Sequence, residues 1–458
     1  MKSVIPVQLS NRLSNGYLII YSFVWDTKSS SPADRENAVK DLPLNPSADR
    51  LATDLVELSA LSDRDQPGWS REVFGEPYRE ARTWVARRMQ DAGLEVSSDG
   101  AGNIVGILAG NSPGAPPLVT GSHTDTVAGG GRFDGVVGVL GAIELARCLR
   151  ESGTKWTRDL VVVDFLGEES NDWGLSCLGS RAVAGELSAA DLSRVDRAGV
   201  LLGDRYQQFD LSVDSVLSAD WLRERRPHAY VELHIEQGPL LERRRAQIGV
   251  VTAIAGIQRL VATFTGRPDH AGTRPMDDRR DAMVAAARAV LAVQQLGCGA
   301  PTHGVTTVTN LDAGTASPNV VPASVQMKME MRSIDRSWFS AAQQQLVGDI
   351  AEQAAREDVD VDFIWTNDNE ILDTTLAVQN AISGAAENAG RSWVAVPSGA
   401  THDAVHIAGI CPTGMIFVPS KDGRSHCPEE WSDVEDIAAG VEVLGRTLAQ
   451  LDRAEKVT

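Results

Sequence analysis

Residues 121–144 read GSHTDTVAGGGRFDGVVGVLGAIE, which sets His123, Asp125 and Asp134 on a glycine-rich turn between an apolar strand and an apolar helix. Imidazoles and carboxylates in that setting suit a metal site. A dinuclear zinc-type centre needs histidines, terminal carboxylates and one carboxylate bridging two ions roughly 3.5–4 Å apart. Matching groups recur at later loops: Glu168 and Glu169 follow the buried-type run LVVVDFLG, His234 lies in ELHIEQGP, and His426 lies in SHCP. Two unpaired carboxylates behind such a run would be costly without a positive charge. Any one histidine at a strand end is more often structural, so the weight rests on the joint pattern. Three of the eight histidines fall at these positions.

The elements that must position these groups can be read from periodicity. Residues 117–120 form a strand and 136–149 a helix, so His123, Asp125 and Asp134 sit at a strand's carboxyl end, where open α/β sheets bind ligands. Residues 78–92 form an amphipathic helix ending at Gly93. Strands at 103–108, 118–120 and 160–166 alternate with helices. That order predicts an α/β fold with a mostly parallel sheet and helices on both faces. Near Gly249 the texture changes. Residues 260–265 and 325–332 alternate with period two, as strands with one wet face do, and helices at 278–295 and near 339–356 accompany them. An α+β insert at 248–361 is therefore expected to split the catalytic domain into 46–247 and 362–458. Residues 1–45 read as an irregular extension. Its apolar run 17–25 is too short to span a bilayer, and its polar run 26–37 fits a disordered segment.

A chain of 458 residues with ordinary apolar content suggests two domains. The formal net charge of −19 argues against nucleic-acid and anionic-membrane partners. It also means that an anionic substrate needs a specific local cation. Cys148, Cys177, Cys298, Cys411 and Cys427 are odd in number and include no CxxC pair, which points to free thiols and a cytoplasmic location. No G-x-S-x-G elbow supports a serine nucleophile.

GSHTDTV with GGRFDG, GEES, HIEQGP, HAGTRPM with RRDA, and SHCPEE occur in an order and at spacings that resemble one family. It is the metal-dependent amidohydrolase branch of the aminoacylase/carboxypeptidase-like metallopeptidases. That branch contains N-carbamoyl-L-amino acid hydrolases, β-ureidopropionases and allantoate amidohydrolases. The resemblance runs from about Leu51 to Leu451 and implies a zinc-peptidase-like catalytic domain with an inserted lid and dimerisation domain. It implies two divalent metal ions per subunit, Zn²⁺ or else Mn²⁺, Co²⁺ or Ni²⁺. His123 and His234 would hold one ion, Glu169 and His426 the other, and Asp134 would bridge them. Asp125 would orient a ligand imidazole and Glu168 would act as base. His270 would stabilise the tetrahedral oxyanion, often across the interface of a homodimer. Arg332 would clamp the carboxylate of a small anionic carbamoyl or ureido substrate, with Asn319 and Gln237 nearby. Gly399, Ala400 and His402 would line the pocket. His228, His303 and His406 match no functional position.

The implied reaction is hydrolysis of a linear carbamoyl or ureido C–N bond. N-carbamoyl-L-amino acids come first, with allantoate, ureidoglycolate or N-carbamoyl-β-alanine as alternatives. An aminoacylase or peptidase on the same scaffold is a second enzymatic reading. A binding protein on a retired hydrolase fold is disfavoured by the intact ligand and base residues.

Overall fold

The computed structural model describes residues 44–314 and 317–457. The runs 17–25 and 26–37, and all but the end of the expected extension, lie outside the described residues. That extension was expected to reach residue 45, but Leu44 is already part of the main core.

One sheet has the order β1 (Glu95–Ser98), β2 (Ile104–Leu108), β4 (Leu160–Phe165), β3 (Leu118–His123), β5 (Ala229–Ile235), β13 (Thr413–Val418), β6 (Ile248–Ile254) and β11 (Leu372–Asp373), and β12 (Trp393–Ser398) also pairs with β6. Neighbours within the central block β4, β3, β5 and β13 are parallel. Every residue of these four strands is buried. Strands covered on both faces need apolar side chains on both, which is why these segments read as near-continuous apolar runs. The margins differ, because β1–β2, β2–β4, β13–β6 and β6–β11 are antiparallel. Helices Ala48–Ser59, Val136–Ser152, Leu376–Asn388 and Val434–Asp452 contribute to the core on one face. Leu178–Ala184 and Ala404–Ile407 pack into the other.

A second, antiparallel sheet has the order β10 (Asp360–Asn369), β7 (Gly256–Thr265), β9 (Ser324–Ser333) and β8 (Val305–Asp312). Its buried face carries Leu260, Ala262, Phe264, Met327, Met329 and Met331 against helices Ala282–Cys298 and Arg336–Ala355. These strands run from 256 to 369, later at both ends than the expected insert at 248–361. The reason is physical: β6 is an apolar run that pairs with β13 and β12 in the large sheet, and period-two alternation begins only with β7. At the other end, β10 is mostly exposed or half-buried along its length, so it carries little apolar signal. All five cysteines are free. No helix among the described residues is long and apolar enough to cross a membrane.

Candidate active site

Four adjacent parallel strands deliver the expected ligands. His123 closes β3, Glu168 and Glu169 follow β4, His234 lies near the end of β5, and His426 follows β13. Because the strands stand side by side as β4, β3, β5 and β13, their carboxyl-end loops converge on one spot.

Asp134 sits at the centre. Its Oδ1 lies 3.1 Å from His234 Nε2 and 4.0 Å from His123 Nε2. Its Oδ2 lies 3.1 Å from His426 Nε2, whose ring is also 3.5 Å from Glu169 Oε1. Each oxygen thus faces a different group of donors. His123, Asp134 and His234 form one set, and Asp134, Glu169 and His426 another, with the ligand atoms in each within 4.8 Å of one another. Imidazole nitrogens and carboxylate oxygens in sets of three fit divalent transition-metal ions. Glu169 Oε1 fits too: it is buried and has no hydrogen-bond partner.

The imidazoles are presented correctly for this. His123 Nδ1 donates to the carbonyl of Asp125 at 3.1 Å and His234 Nδ1 to the carbonyl of Ile235 at 2.9 Å. A carbonyl only accepts, so Nδ1 carries a proton in each ring and Nε2 is the nitrogen turned inward toward Asp134. Asp125 thus meets His123 Nδ1 with its main-chain carbonyl, and its carboxylate Oδ1 stands 3.5 Å from the same nitrogen. The carboxylate oxygens accept from the N–H groups of Glu168 at 3.2 Å and Glu169 at 3.0 Å, fixing the loop that carries both glutamates. Gly135, at φ +66°, allows the turn to pass against the His123 ring, where a Cβ would come within 2.3 Å.

A third set, Glu232, His234 and His402, is also close enough to share an ion. Protein donors already saturate it. Glu232 accepts from Ser122, Tyr230 and the N–H of Ala404, and His402 Nε2 bonds Ser398. This network stacks the His402 ring edge-on at 4.5 Å from His234 and supports it from behind.

Burial pushes Glu169 up to about 7, with His426 opposing and Asp134 adding to the rise. For His426 burial acts downward, but its bond to Asp134 and the nearby Glu169 outweigh it and hold the ring at about 9. Both protons must leave before these atoms can ligate a cation. Acid therefore competes with the ion. Calorimetric titration of metal-depleted protein with Mn²⁺ at pH 6, 7 and 8 is expected to show affinity rising with pH, about tenfold per unit from the His426 proton, with the Glu169 proton steepening the rise mainly below pH 7. A pH-independent affinity would contradict that competition.

Glu168 belongs to neither set. It is buried, 3.6 Å from His123 Nε2, and its Oε1 faces the Cys177 thiol at 3.7 Å. Burial raises it well above the usual carboxylate range, with His123 opposing and Glu169, Asp403 and Asp125 adding.

A cavity opens from these groups toward the second sheet, and Arg332, Arg259, Gln237, Ala400 and His402 form part of its wall. Arg332 is held by Glu330 Oε1 at 2.8 Å and the Gly399 carbonyl at 3.0 Å. Gln237 donates to Asp134 Oδ2 at 2.6 Å, and its own Oε1 is unpartnered. His270 and Asn319 are not brought to this cavity. They lie together on the exposed part of the second sheet's domain, joined by the Ala271 N–H to Asn319 carbonyl bond at 2.9 Å. His303, given no role above, borders the wider mouth beside Arg332 and His426.

Sequence reasoning missed Glu430. Its Oε1 accepts from the N–H groups of Phe133 and Asp134 at 2.8 and 3.1 Å, and its Oε2 from Ser425 Oγ at 2.7 Å and the His426 N–H at 3.3 Å. One buried carboxylate thus clamps the bridging loop to the His426 loop. It stands in the quoted SHCPEE segment, but nothing local says that it turns back toward Asp134. Arg259 was also missed, since on an alternating strand it reads as a solvated position.

Residues 119–450 match peptidase family M20/M25/M40. The chain is 37% identical over 416 residues to an N-carbamoyl-L-amino acid amidohydrolase of Geobacillus stearothermophilus, covering 89% of this chain and 99% of that one. It is also 37% identical over 416 residues to a ureidoglycolate hydrolase of Arabidopsis thaliana, covering 89% and 87%. Among solved structures it is similar to AtUAH in complex with (S)-hydroxyglycine, with a TM-score of 0.83, 34% identity, and coverage of 91% and 100%.

Proposed function

Because the chain belongs to peptidase family M20/M25/M40, we propose that it is an amidohydrolase with two divalent ions per subunit, zinc or else manganese, cobalt or nickel. Its substrate in this reading is an N-carbamoyl-L-amino acid. The observation that carries the reading is Asp134, whose two oxygens address separate ligand sets. The name of the Geobacillus relative supports the carbamoyl substrate. Ureidoglycolate is kept as a second substrate by the equally similar Arabidopsis relative.

When bound, the ions would supply Lewis acidity toward the carbamoyl carbonyl and raise the acidity of nearby water. The chain does the rest. Glu168 takes a proton from water as it adds to the carbamoyl carbon, then passes it to the departing nitrogen as the C–N bond breaks. One water is consumed: cleavage at the substituted nitrogen frees the amino acid and leaves carbamic acid, whose remaining C–N bond then breaks to give carbon dioxide and ammonia. Arg332, fixed by Glu330 and Gly399, receives the substrate carboxylate. Gln237 Oε1 accepts a carbamoyl N–H. His402 stays neutral, since burial and the neighbouring His234 hold it well below its ordinary value, so it backs the site without adding charge.

Ammonia release by the purified protein with Zn²⁺, Mn²⁺ or Co²⁺ tests this against N-carbamoyl-L-amino acids, N-carbamoyl-β-alanine, allantoate and ureidoglycolate. N-carbamoyl-L-amino acids should be turned over best. No ammonia from any of them, with cleavage of N-acyl amino acids or dipeptides instead, would move the protein to the aminoacylase reading.

His270 is exposed and outside the cavity, which fits a homodimer in which it completes the site of a second copy. Mixing His270→Ala subunits with Asp134→Ala subunits should then restore up to about a quarter of wild-type activity, the share of sites that random pairing leaves with both residues. No recovery from mixed dimers would count against sharing.

A further inference from the structure

The open face of the second sheet meets the metal cavity with a row of charges. Arg259 on β7 stands directly opposite Glu330 on β9, and Arg332 follows two residues along. The strand period puts Glu330 and Arg332 on one face, and the register adds Arg259 to it. Glu330 Oε1 accepts from Arg332 Nε at 2.8 Å while its Oε2 lies 3.7 Å from Arg259 Nε, so two guanidinium groups share one carboxylate. The other partner of Arg259 is Asp368, at 2.7 Å from Nη1. Asp368 sits at the irregularity in β10 between Asn367 and Asn369, where a bulge re-aims a side chain. It is itself shared, because Arg181 Nη2 approaches it at 3.2 Å.

Three guanidinium groups therefore meet two carboxylates, and of these five groups Arg259 and Arg332 border the cavity. Neither Arg259 Nη2 nor Arg332 Nη2 is hydrogen-bonded among the described residues, and both side chains border the cavity. Diagonal cross-strand positions are about 7–8 Å apart at the backbone, a separation that long side chains bridge. Two arginines at that spacing can hold two carboxylates of one small molecule. In a chain of net charge −19, two guanidinium groups on the cavity wall, across from Asp134, Glu168 and Glu169, suit an anionic occupant.

We propose that Arg259 is a specificity-determining residue that binds a second carboxylate, so that the favoured substrates are carbamoyl amino acids with an acidic side chain. The inference rests on the carbamoyl-hydrolase reading of the same site and narrows its substrate class. It is tested by the steady-state kinetics of the metal-loaded full chain on N-carbamoyl-L-glutamate and N-carbamoyl-L-methionine, which have similar length. Wild type should favour the glutamate compound by about tenfold or more in kcat/KM, as a charge-assisted bond would give. Arg259→Gln should erase that preference through KM, costing the glutamate compound at least about ten times more than the methionine compound. Asp368→Asn keeps the guanidinium and should keep the preference. The proposal is overturned if wild type shows no acidic preference, or if Arg259→Gln and Asp368→Asn lower both substrates equally, which would make Arg259 a structural ion-pair residue. Turnover of the methionine compound alone would overturn this inference and leave the carbamoyl reading intact. No ammonia from either compound, or from the wider panel, would sink both.

Discussion

Replacing Asp134 by alanine is expected to strip the protein of both ions together. Its Oδ1 faces His123 and His234, and its Oδ2 faces His426. Without the carboxylate, the first set is reduced to two imidazoles and the second to Glu169 and His426. Two protein ligands are too few for tight divalent binding, where structural and catalytic zinc sites use three or four. The loop itself should survive, because Glu430 holds the main-chain N–H groups of Phe133 and Asp134 rather than the side chain. Metal analysis after gel filtration should therefore fall from about two ions per chain to well below one, with an unchanged elution volume. His234→Ala gives the contrast, since it removes a ligand from one set only. If Asp134→Ala retains one full ion, the carboxylate does not serve both sites.

Glu168→Gln should leave both ions in place and lower turnover by about 10²- to 10⁴-fold, the range of a positioned general base. The amide has the same shape and removes only the ability to take a proton. It should also be tolerated structurally, because burial disfavours the charged form of Glu168 and an amide carries no charge to desolvate. Glu169→Gln separates the two neighbours: it should lose an ion as well as activity, because Glu169 shares a ligand set with Asp134 and His426. A Glu168→Gln variant that keeps its ions and more than about a tenth of wild-type turnover would remove Glu168 from the base role.

The central sheet was legible because β3, β4, β5 and β13 are buried on both faces, and such strands read as apolar runs ending in polar turns. His123, Glu169 and His234 could be picked out because each stands at or just past the end of such a run, whereas Asp134 and His426 lie within polar loops and drew their ligand roles from the resemblance. What escaped depends on contacts between segments far apart in the chain. Glu430 reaches Asp134 across 296 positions. The pairing of β6 with β13, which moves the start of the second sheet to Gly256, is likewise invisible to a local pattern. Asp125 was recognised as a supporting residue, but which of its oxygens serves His123 depends on loop conformation. Arg259 shows the limit most clearly: period two marks its face as polar, and only the placement of the second sheet turns that face toward the cavity.

An anomalous difference map from crystals of the manganese-loaded protein tests the paired-cation centre most directly. Two peaks about 3.5–4 Å apart are expected, one beside His123 and His234, the other beside Glu169 and His426, with one oxygen of Asp134 bound to each. A single peak, or two peaks that Asp134 does not join, would contradict a bridged pair.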